Sequence, residues 1–384
     1  MLKDVIRSVG EGIYQWLIIA ALPLNLVLAK TQGQKFYPGS VLHISYMVHI
    51  PYYTVRVLRK AGVKADYLAV GPINKTWNKS DFHYLPSRWP HKRAIQEVMM
   101  FWRIVARYEI IHSHFMISMS HSGWEWGLLK RLGRKIVIHY RGCEIRNKDK
   151  RPALDPEHDI CQACDYGEYC TSDRIRKRRR LARKYGDAFL VTTPDLKEFF
   201  PEAVHLPFFS PVIERFPAPE KPRGDMKLTR ILHVTNHPGI EGTEEIRSAV
   251  TRLQAKGYPI ELTVLGKVAH EKVLEALLEA DISIGKMKMG YYANFQIESM
   301  LLGVPAMTYV RPEFMADALK ESGFIFCDLN SLEQTLQYYL DHPEKLKEKK
   351  RIAKESILKL HDNEKIAERL ISIYRSLGQS CVKC

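Results

Sequence analysis

The sequence is short of cysteine, of acidic residues and of long apolar runs, and each shortage argues against a class of protein. Seven cysteines in 384 residues is an odd number, scattered except for one cluster and the tail. That argues against a complete disulfide framework and favours a reducing compartment. Acidic residues number 43 against 58 Lys and Arg, a formal charge of +15. The partner is therefore expected to be an anion: nucleic acid, an anionic membrane face or a phosphorylated small molecule. The acidic residues form no obvious Asp-x-Asp at a strand end, so no divalent metal is expected in the chemistry.

The uncharged run Ile13 to Ala29 has only seventeen residues and is interrupted by Pro23, which puts it at the short limit of a membrane span. Basic residues flank both sides (Lys3 and Arg7, then Lys30 and Lys35), so no orientation signal emerges. The "VLA" at its end resembles a leader cleavage site, but Asp4 and Glu11 dilute a leader's positive charge. A monotopic or re-entrant anchor is expected over 1–38, with a helix packed on the protein as the alternative. The tail "CVKC" superficially resembles a prenylation box, but Lys383 is a poor aliphatic substitute, so the end is expected to be disordered.

What is present is the composition of a folded chain, 46% hydrophobic and 26% charged, long enough for two domains. "SVLHIS" at 40–45 reads as a buried strand and the stretch from Pro51 to Gly62 as a helix, followed by strand-like "ADYLAVG". Helices over 92–107 and 121–132 alternate with "EIIHSHF" and "KIVIHY" as strands. Such alternation predicts parallel sheet with crossover helices. The period dissolves over 143–184 and resumes with "DAFLVTT". Five prolines over 207–225 mark a domain boundary. Beyond it "RILHVT", "IELTVLG", "ADISIG", "VPAMTYV" and "GFIFCDL" alternate with helices, and charged amphipathic helices close the chain. Two doubly wound domains are expected, 39–215 and 216–365, with 366–384 crossing back to the first. Ligands would lie in the cleft beyond the strand ends.

Between Gly290 and Val310 there is one acidic residue, Glu298, near the start of an apolar helix. A carboxylate there can accept two hydroxyl hydrogen bonds, as from a ribose, while the free amides of the helix take phosphate charge. The plainer alternative is a glutamate that complements the helix dipole. "ADISIGKMKMGYYANFQIESMLLGVPAMTY" resembles the donor-site motif of retaining, family-four glycosyltransferases of the GT-B fold. That resemblance covers most of 39–377 and implies two Rossmann-like domains facing a cleft.

In the family, two glutamates with seven residues between them hold the donor, and Glu298 matches the second, which holds the ribose. Gly290 stands at the first, and the amides of 290–294, including Tyr291, Ala293 and Asn294, are placed to approach the sugar. "KIVIHYRGCEIR" resembles the strand ending in which a family histidine contacts the transferred sugar. Arg141 stands at that histidine's place, with His139 two residues earlier; His114 ends the preceding strand. "ILHVTNHPGIEGTEEI" resembles the start of the second domain, where a basic pair holds the diphosphate. Here Glu241 replaces the lysine before Gly242, and Asn236 and His237 stand near the arginine position. Lys267 and Lys286, after "TVLG" and "SIG", are the cations left to bind phosphate, with solvated loop charges as the alternative.

Two features stand outside the resemblance. "HDICQACDYGEYC" carries Cys161, Cys164 and Cys170, a spacing that suits tetrahedral Zn²⁺, with His158 or Cys143 completing the set. A structural zinc is expected, with iron–sulfur ligation or free thiols as alternatives. "RIRKRRRLARK" holds eight basic residues in eleven without an aromatic, which favours anionic lipid over nucleic acid. Together these predict a retaining transferase that moves a sugar from a nucleotide diphosphate sugar to a lipid-linked or polysaccharide acceptor. It would be peripheral or monotopic on the cytoplasmic face of the cell membrane. A catalytically inactive GT-B relative acting as a binding or partner subunit is one alternative, and a zinc-containing nucleic-acid-binding protein the other.

Overall fold

The computed structural model describes residues 2–21, 23–25, 27, 37–74, 77–158, 160–161, 164, 167–211 and 228–378. The linker expected at 207–225 lies outside these residues from position 212 on, as do the "CVKC" tail and parts of the run ending at Ala29.

Runs such as Val41-Leu42-His43-Ile44 leave no polar face for solvent, so they are stable only within a sheet covered on both sides, where parallel strands occur. The first sheet holds β1 (Tyr37–Ser45), β2 (Ala65–Val70), β3 (Phe82–Tyr84), β4 (Tyr108–His114), β5 (Lys135–Tyr140), β6 (Ala188–Val191) and β7 (Val204–His205). All pair in parallel, in the order β3-β2-β1-β4-β5-β6-β7. The second holds β8 (Thr229–Val234), β9 (Ile260–Leu265), β10 (Ile282–Ile284), β11 (Ala306–Thr308) and β12 (Ile325–Phe326), parallel in the order β12-β11-β10-β8-β9. The winding direction reverses between β1 and β4 in one sheet and between β8 and β10 in the other. Crevices open beyond the carboxyl ends of the strands at such points.

Helices bury both faces of the first sheet. Phe101, Leu129 and Ala182, from helices Pro90–Arg103, Trp124–Arg131 and Ser172–Tyr185, share one apolar cluster with Leu42 and Ile111. On the opposite face Val55 and Leu58 of helix His49–Lys60 pack with Val41 and Tyr67. Ile366, Leu370 and Tyr374 join that cluster from helix Asn363–Gly378, so the last helix of the chain covers the first sheet. The second sheet is covered likewise by helices Thr243–Ala255 and Leu332–Asp341 on one side, through Ile246, Leu253 and Leu336.

The N-terminal helix Leu2–Ala20 packs by one edge on Pro90–Arg103. Tyr14 is buried and donates to Glu97 Oε2 at 2.5 Å; Glu97 also accepts from Trp124 Nε1 and the His121 amide. Ile13, Trp16 and Ile19 on the same helix remain exposed, Trp16 to 67%. No helix among the described residues is long and apolar enough to cross a membrane.

Candidate functional site

A cavity of about 320 Å³ opens between the sheets at the carboxyl ends of the strands. Thr235, Asn236 and His237 line it from the loop after β8, Lys267 and Val268 from that after β9, Gly285 and Lys286 from that after β10, and His49 from the first half. Ala293, Asn294, Gln296 and Glu298, at the start of helix Asn294–Leu301, close it. Asn236, His237, Lys267, Lys286, Ala293, Asn294 and Glu298, all singled out in the sequence, thus meet in one place. A neighbouring cavity of about 540 Å³ shares Asn236, His237 and Lys267 and is bounded across the cleft by Tyr46, Met47 and Ile73.

Among the described residues, the non-glycine positions with positive φ are Phe115, Met116, Lys267 and Lys286. Each lies within two residues of the carboxyl end of a strand. Side chains there cost about 1–3 kcal/mol, a strain that gathers at functional sites. The Lys267 amide donates to Asn236 Oδ1 at 2.8 Å, tying the loops after β8 and β9 together. The Lys286 ammonium pairs with Glu241. Glu241, at the place where the resemblance puts a lysine, is thus neutralised by a lysine from the loop after β10.

Glu298 is 3% exposed and not solitary: His270 Nε2 donates to its Oε1 at 2.8 Å. Burial disfavours a charged His270, but the hydrogen bond to Glu298 and its charge outweigh burial and raise the His270 pKa. The His270 ring stacks on His49 at 5.6 Å and 10°. Asn294 Nδ2 donates to His49 Nε2 at 3.2 Å, and Trp77 lies edge-on to both rings. Burial pushes His49 down to about 4, which suits an imidazole that accepts. The sequence offers Glu298 a ribose or the helix dipole as partner; His270, twenty-eight residues away in sequence, is not among these. Its only signal is a histidine opening the helix His270–Glu279.

Gly290, Tyr291 and Gly242 do not line the cavity. Gly290 has φ +82°, and a Cβ there would meet Arg311 Cδ at 2.7 Å. Arg311 covers that position and reaches across to Glu198 of the first half at 2.6 Å, while also pairing with Glu313. Tyr291 stacks on Tyr292 at 4.5 Å. Gly242 is a packing glycine, with φ +83° and Leu329 and Met287 against it.

His114, His139 and Arg141 do come together, but within the first sheet. His43 on β1, His112 and His114 on β4 and His139 on β5 are buried and share one face of adjacent strands. Arg141 Nε donates to His114 Nδ1 at 3.0 Å, so His114 Nε2–H donates to His43 Nδ1 at 2.8 Å. Tyr374 donates to His112 Nδ1 at 2.5 Å, so His112 Nε2–H donates to His139 Nδ1 at 3.1 Å. His139 Nε2–H then meets Thr192 Oγ1 at 3.2 Å, and that hydroxyl donates to the Tyr140 carbonyl. This tautomer set keeps every imidazole neutral and satisfies the ring nitrogens of the chain except His43 Nε2, which is buried without a partner. It agrees with burial, and then Arg141 or a neighbouring histidine, lowering the pKa of all four. Although His43, His112 and His114 have ring nitrogens within 4.8 Å of one another, their lone pairs serve this network, beside the Arg141 guanidinium. Arg141 alone of the predicted trio is partly exposed.

In the insert, His158 Nδ1 is held by Asp155 at 3.0 Å and its ring stacks on Tyr309 at 4.0 Å; among the described residues, Cys143, Cys161, Cys164 and Cys170 form no group of three or more ligand atoms within 4.8 Å of one another. The basic run forms helix Ser172–Tyr185; Arg176, Arg179, Arg180 and Arg183, with Lys150, border a further cavity of about 540 Å³. Arg178 stacks on Tyr169 at 4.1 Å, an aromatic that the run itself lacks.

No family model matches the chain, and no curated protein matches it in sequence. Solved structures do match. Sucrose-phosphate synthase from Thermosynechococcus elongatus is 15% identical, with a TM-score of 0.58 over 89% of this chain and 99% of that one. A glycosyltransferase from Rickettsia africae is 10% identical, with a TM-score of 0.58 over 89% and 99%. HepE from Anabaena, solved with UDP and glucose, is 9% identical, with a TM-score of 0.58 over 88% and 99%. Likeness at these identities carries the architecture, and the architecture of this chain is GT-B: two doubly wound Rossmann-like domains facing a cleft.

Proposed function

We propose that the protein is a retaining glycosyltransferase that moves a sugar from a nucleotide diphosphate sugar to a lipid-linked or polysaccharide acceptor at the cytoplasmic membrane face. The observation that carries this reading is Glu298, a buried carboxylate at the mouth of the cavity where the winding of the second sheet reverses. Its carboxylate would take the ribose hydroxyls. The N-terminal amides of helix Asn294–Leu301, with Lys267 and Lys286, would take the diphosphate. As the anomeric carbon–oxygen bond breaks, its electrons go to the departing diphosphate, whose growing charge those groups stabilise. The acceptor oxygen bonds to the same face of the sugar, and its proton passes to the departing phosphate oxygen. The cavity beside Tyr46, Met47 and Ile73, contiguous with the first through Asn236, His237 and Lys267, would hold the acceptor.

Membrane attachment is supported by the exposed Ile13, Trp16 and Ile19 on the N-terminal helix, together with Ile95 and Met99 on the helix beneath it. The basic helix Ser172–Tyr185 on the same side of the first sheet supplies charge for anionic lipid.

A second reading is a GT-B relative that binds a nucleotide sugar without turning it over. It is favoured by Glu298 being engaged by His270 and by Arg311 covering Gly290. Both readings are tested by thermal-shift screening of nucleotide diphosphate sugars. Product analysis with membrane extract as acceptor follows, with NMR of the anomeric proton. Binding with turnover and retained configuration supports the first reading; binding alone supports the second. No stabilisation by any nucleotide sugar overturns both.

A further inference from the structure

We propose that the cavity bounded by Lys150, Arg176, Arg179, Arg180 and Arg183 is a binding pocket for a phosphomonoester. The basic run is not spread evenly in its use of the helix Ser172–Tyr185. Arg176, Arg179, Arg180 and Arg183 recur at spacings of three and four, which places them on one helix face with Ser172 and Ile175. That face, with Asn147 and Lys150 of the preceding insert, encloses about 540 Å³, the size of a small-molecule pocket. Arg174, Lys177 and Lys184, in the same run, do not line it.

The floor of the pocket is fixed. Ile175 is 1% and Asn147 4% exposed. Asn147 Nδ2 donates to Ser172 Oγ at 3.1 Å, Asn147 Oδ1 accepts from the Asp149 amide at 2.9 Å, and the Ser172 hydroxyl donates to Asp149. The insert is thereby joined to the first turn of the helix, so Lys150 and the arginines border one space. The second N–H of Asn147 Nδ2 is left for a ligand.

The charge in the pocket is only partly answered. Arg176 pairs with Asp173 at 3.1 Å and Arg183 with Glu202 at 2.6 Å, both solvent-exposed pairs that hold their partners weakly. Among the described residues, Lys150 and Arg180 have no acidic partner. Arg179 donates through Nη2 to the Phe199 carbonyl, but its Nε is buried with no acceptor. A buried donor left unmet is costly, and a ligand oxygen would meet it. Three cations without carboxylates call for more than one negative charge and several acceptor oxygens. A phosphomonoester supplies about −1.5 to −2 at pH 7 and three such oxygens, whereas a carboxylate or a phosphodiester brings a single charge. Nucleic acid, a phosphodiester, would also need an open aromatic for its bases; Tyr169 beside the helix is covered by Arg178 at 4.1 Å. The pocket shares no lining residue with the donor cavity, so it is a second site. A phosphomonoester could reach it as a lipid headgroup at the membrane face proposed above or as a soluble phosphorylated molecule.

The test uses the full-length protein without nucleotide sugar, so its failure leaves the transferase reading standing. Titration with glycerol 3-phosphate should saturate at a single site. Co-sedimentation should favour vesicles containing phosphatidic acid, a phosphomonoester, over vesicles of equal surface charge containing phosphatidylglycerol, a phosphodiester. Arg180 is exposed, so Arg180→Gln leaves the fold intact even where Arg179→Gln does not. Each should raise the glycerol 3-phosphate Kd about tenfold or more and abolish the lipid preference. Arg174→Gln and Lys177→Gln should change neither, and Lys267→Met, in the donor cavity, should leave the titration as it is. Saturable binding without a vesicle preference identifies a soluble ligand, and a vesicle preference that depends on Arg180 without soluble binding identifies the headgroup; either supports the pocket. The absence of both overturns it. So does equal loss from Arg174→Gln and Lys177→Gln, loss from Lys267→Met, or RNA bound through the same arginines in preference to either ligand.

Discussion

Glu298→Gln separates a ligand-binding carboxylate from a structural one, provided that stability and affinity are measured together. The carboxylate is 3% exposed and accepts from His270 Nε2 at 2.8 Å. Gln keeps an acceptor for that bond but removes the charge that raises the His270 pKa. Loss of charge assistance costs on the order of 1 kcal/mol of stability, because a neutral hydrogen bond remains.

The cost depends on pH in a definite direction. A histidine whose folded pKa is raised contributes stability in full below its unfolded pKa of about 6.5 and loses it as pH rises through the folded value. The difference in melting temperature between wild type and Glu298→Gln should therefore be largest below about pH 6.5 and shrink above. Affinity behaves otherwise. If the carboxylate holds ribose hydroxyls, losing a charge-assisted bond costs roughly 1.5–3 kcal/mol, so nucleotide-sugar Kd should rise about ten- to a hundredfold. Thermal unfolding across pH 5.5 to 8.5 (about three units spanning the histidine range) and calorimetric titration give the two numbers. A pH-dependent stability loss with unchanged nucleotide-sugar affinity would falsify the assignment of the donor pocket and leave Glu298 as a partner of His270 only.

Four further expectations follow from particular contacts. Gly290→Ala should destabilise by about 1–3 kcal/mol in urea unfolding, since the left-handed backbone and Arg311 both resist a Cβ; an unchanged midpoint would contradict the packing described. Lys286→Met should weaken diphosphate binding and also destabilise, because it leaves Glu241, 5% exposed, without its counter-ion; Lys267→Met should weaken binding with little change in melting temperature. Tyr374→Phe removes the donor to His112 Nδ1 and should cost about 1–3 kcal/mol on thermal unfolding, the penalty for a buried unsatisfied acceptor. Co-sedimentation with anionic vesicles should persist, weakened, in high salt and be lost with Trp16→Glu and Ile19→Glu; binding unaffected by these changes would move the contact elsewhere.

The alternation of buried strands and amphipathic helices was legible because burial on both faces writes itself into consecutive apolar residues. "KIVIHY" and "ADISIG" each contain a strand of the two sheets, and "SVLHIS" lies within one. The short strands β3 and β7 were not, since three and two residues carry no period. Much of the site was legible for a topological reason. Loops that follow adjacent parallel strands open at one end of the sheet, so Asn236, Lys267, Lys286 and Glu298, which follow β8, β9 and β10, converge whatever their spacing.

What the sequence concealed were side chains arriving from elsewhere. His270 reaches Glu298 from the helix after β9, and Arg311 reaches Gly290 from the loop after β11. Both answer an apparent defect. The carboxylate that looked unpartnered in its own helix is held by an imidazole, and the glycine where a glutamate was expected is covered by an arginine. At Glu241, too, a side chain arrives from elsewhere: Lys286 pairs with it from the loop after β10. A motif compared position by position registers such exchanges as losses, because it records which residue occupies a place in the chain. The cavity registers only which charge occupies a place in space. At position 241 the glutamate and Lys286 form a neutral pair. At position 290 the methylenes of Arg311 fill the space beside the glycine, while its guanidinium is held by Glu198 and Glu313. If the proposed function holds, the lack of a carboxylate at 290 should alter recognition of the donor's sugar before that of its nucleotide, whose ribose Glu298 would hold.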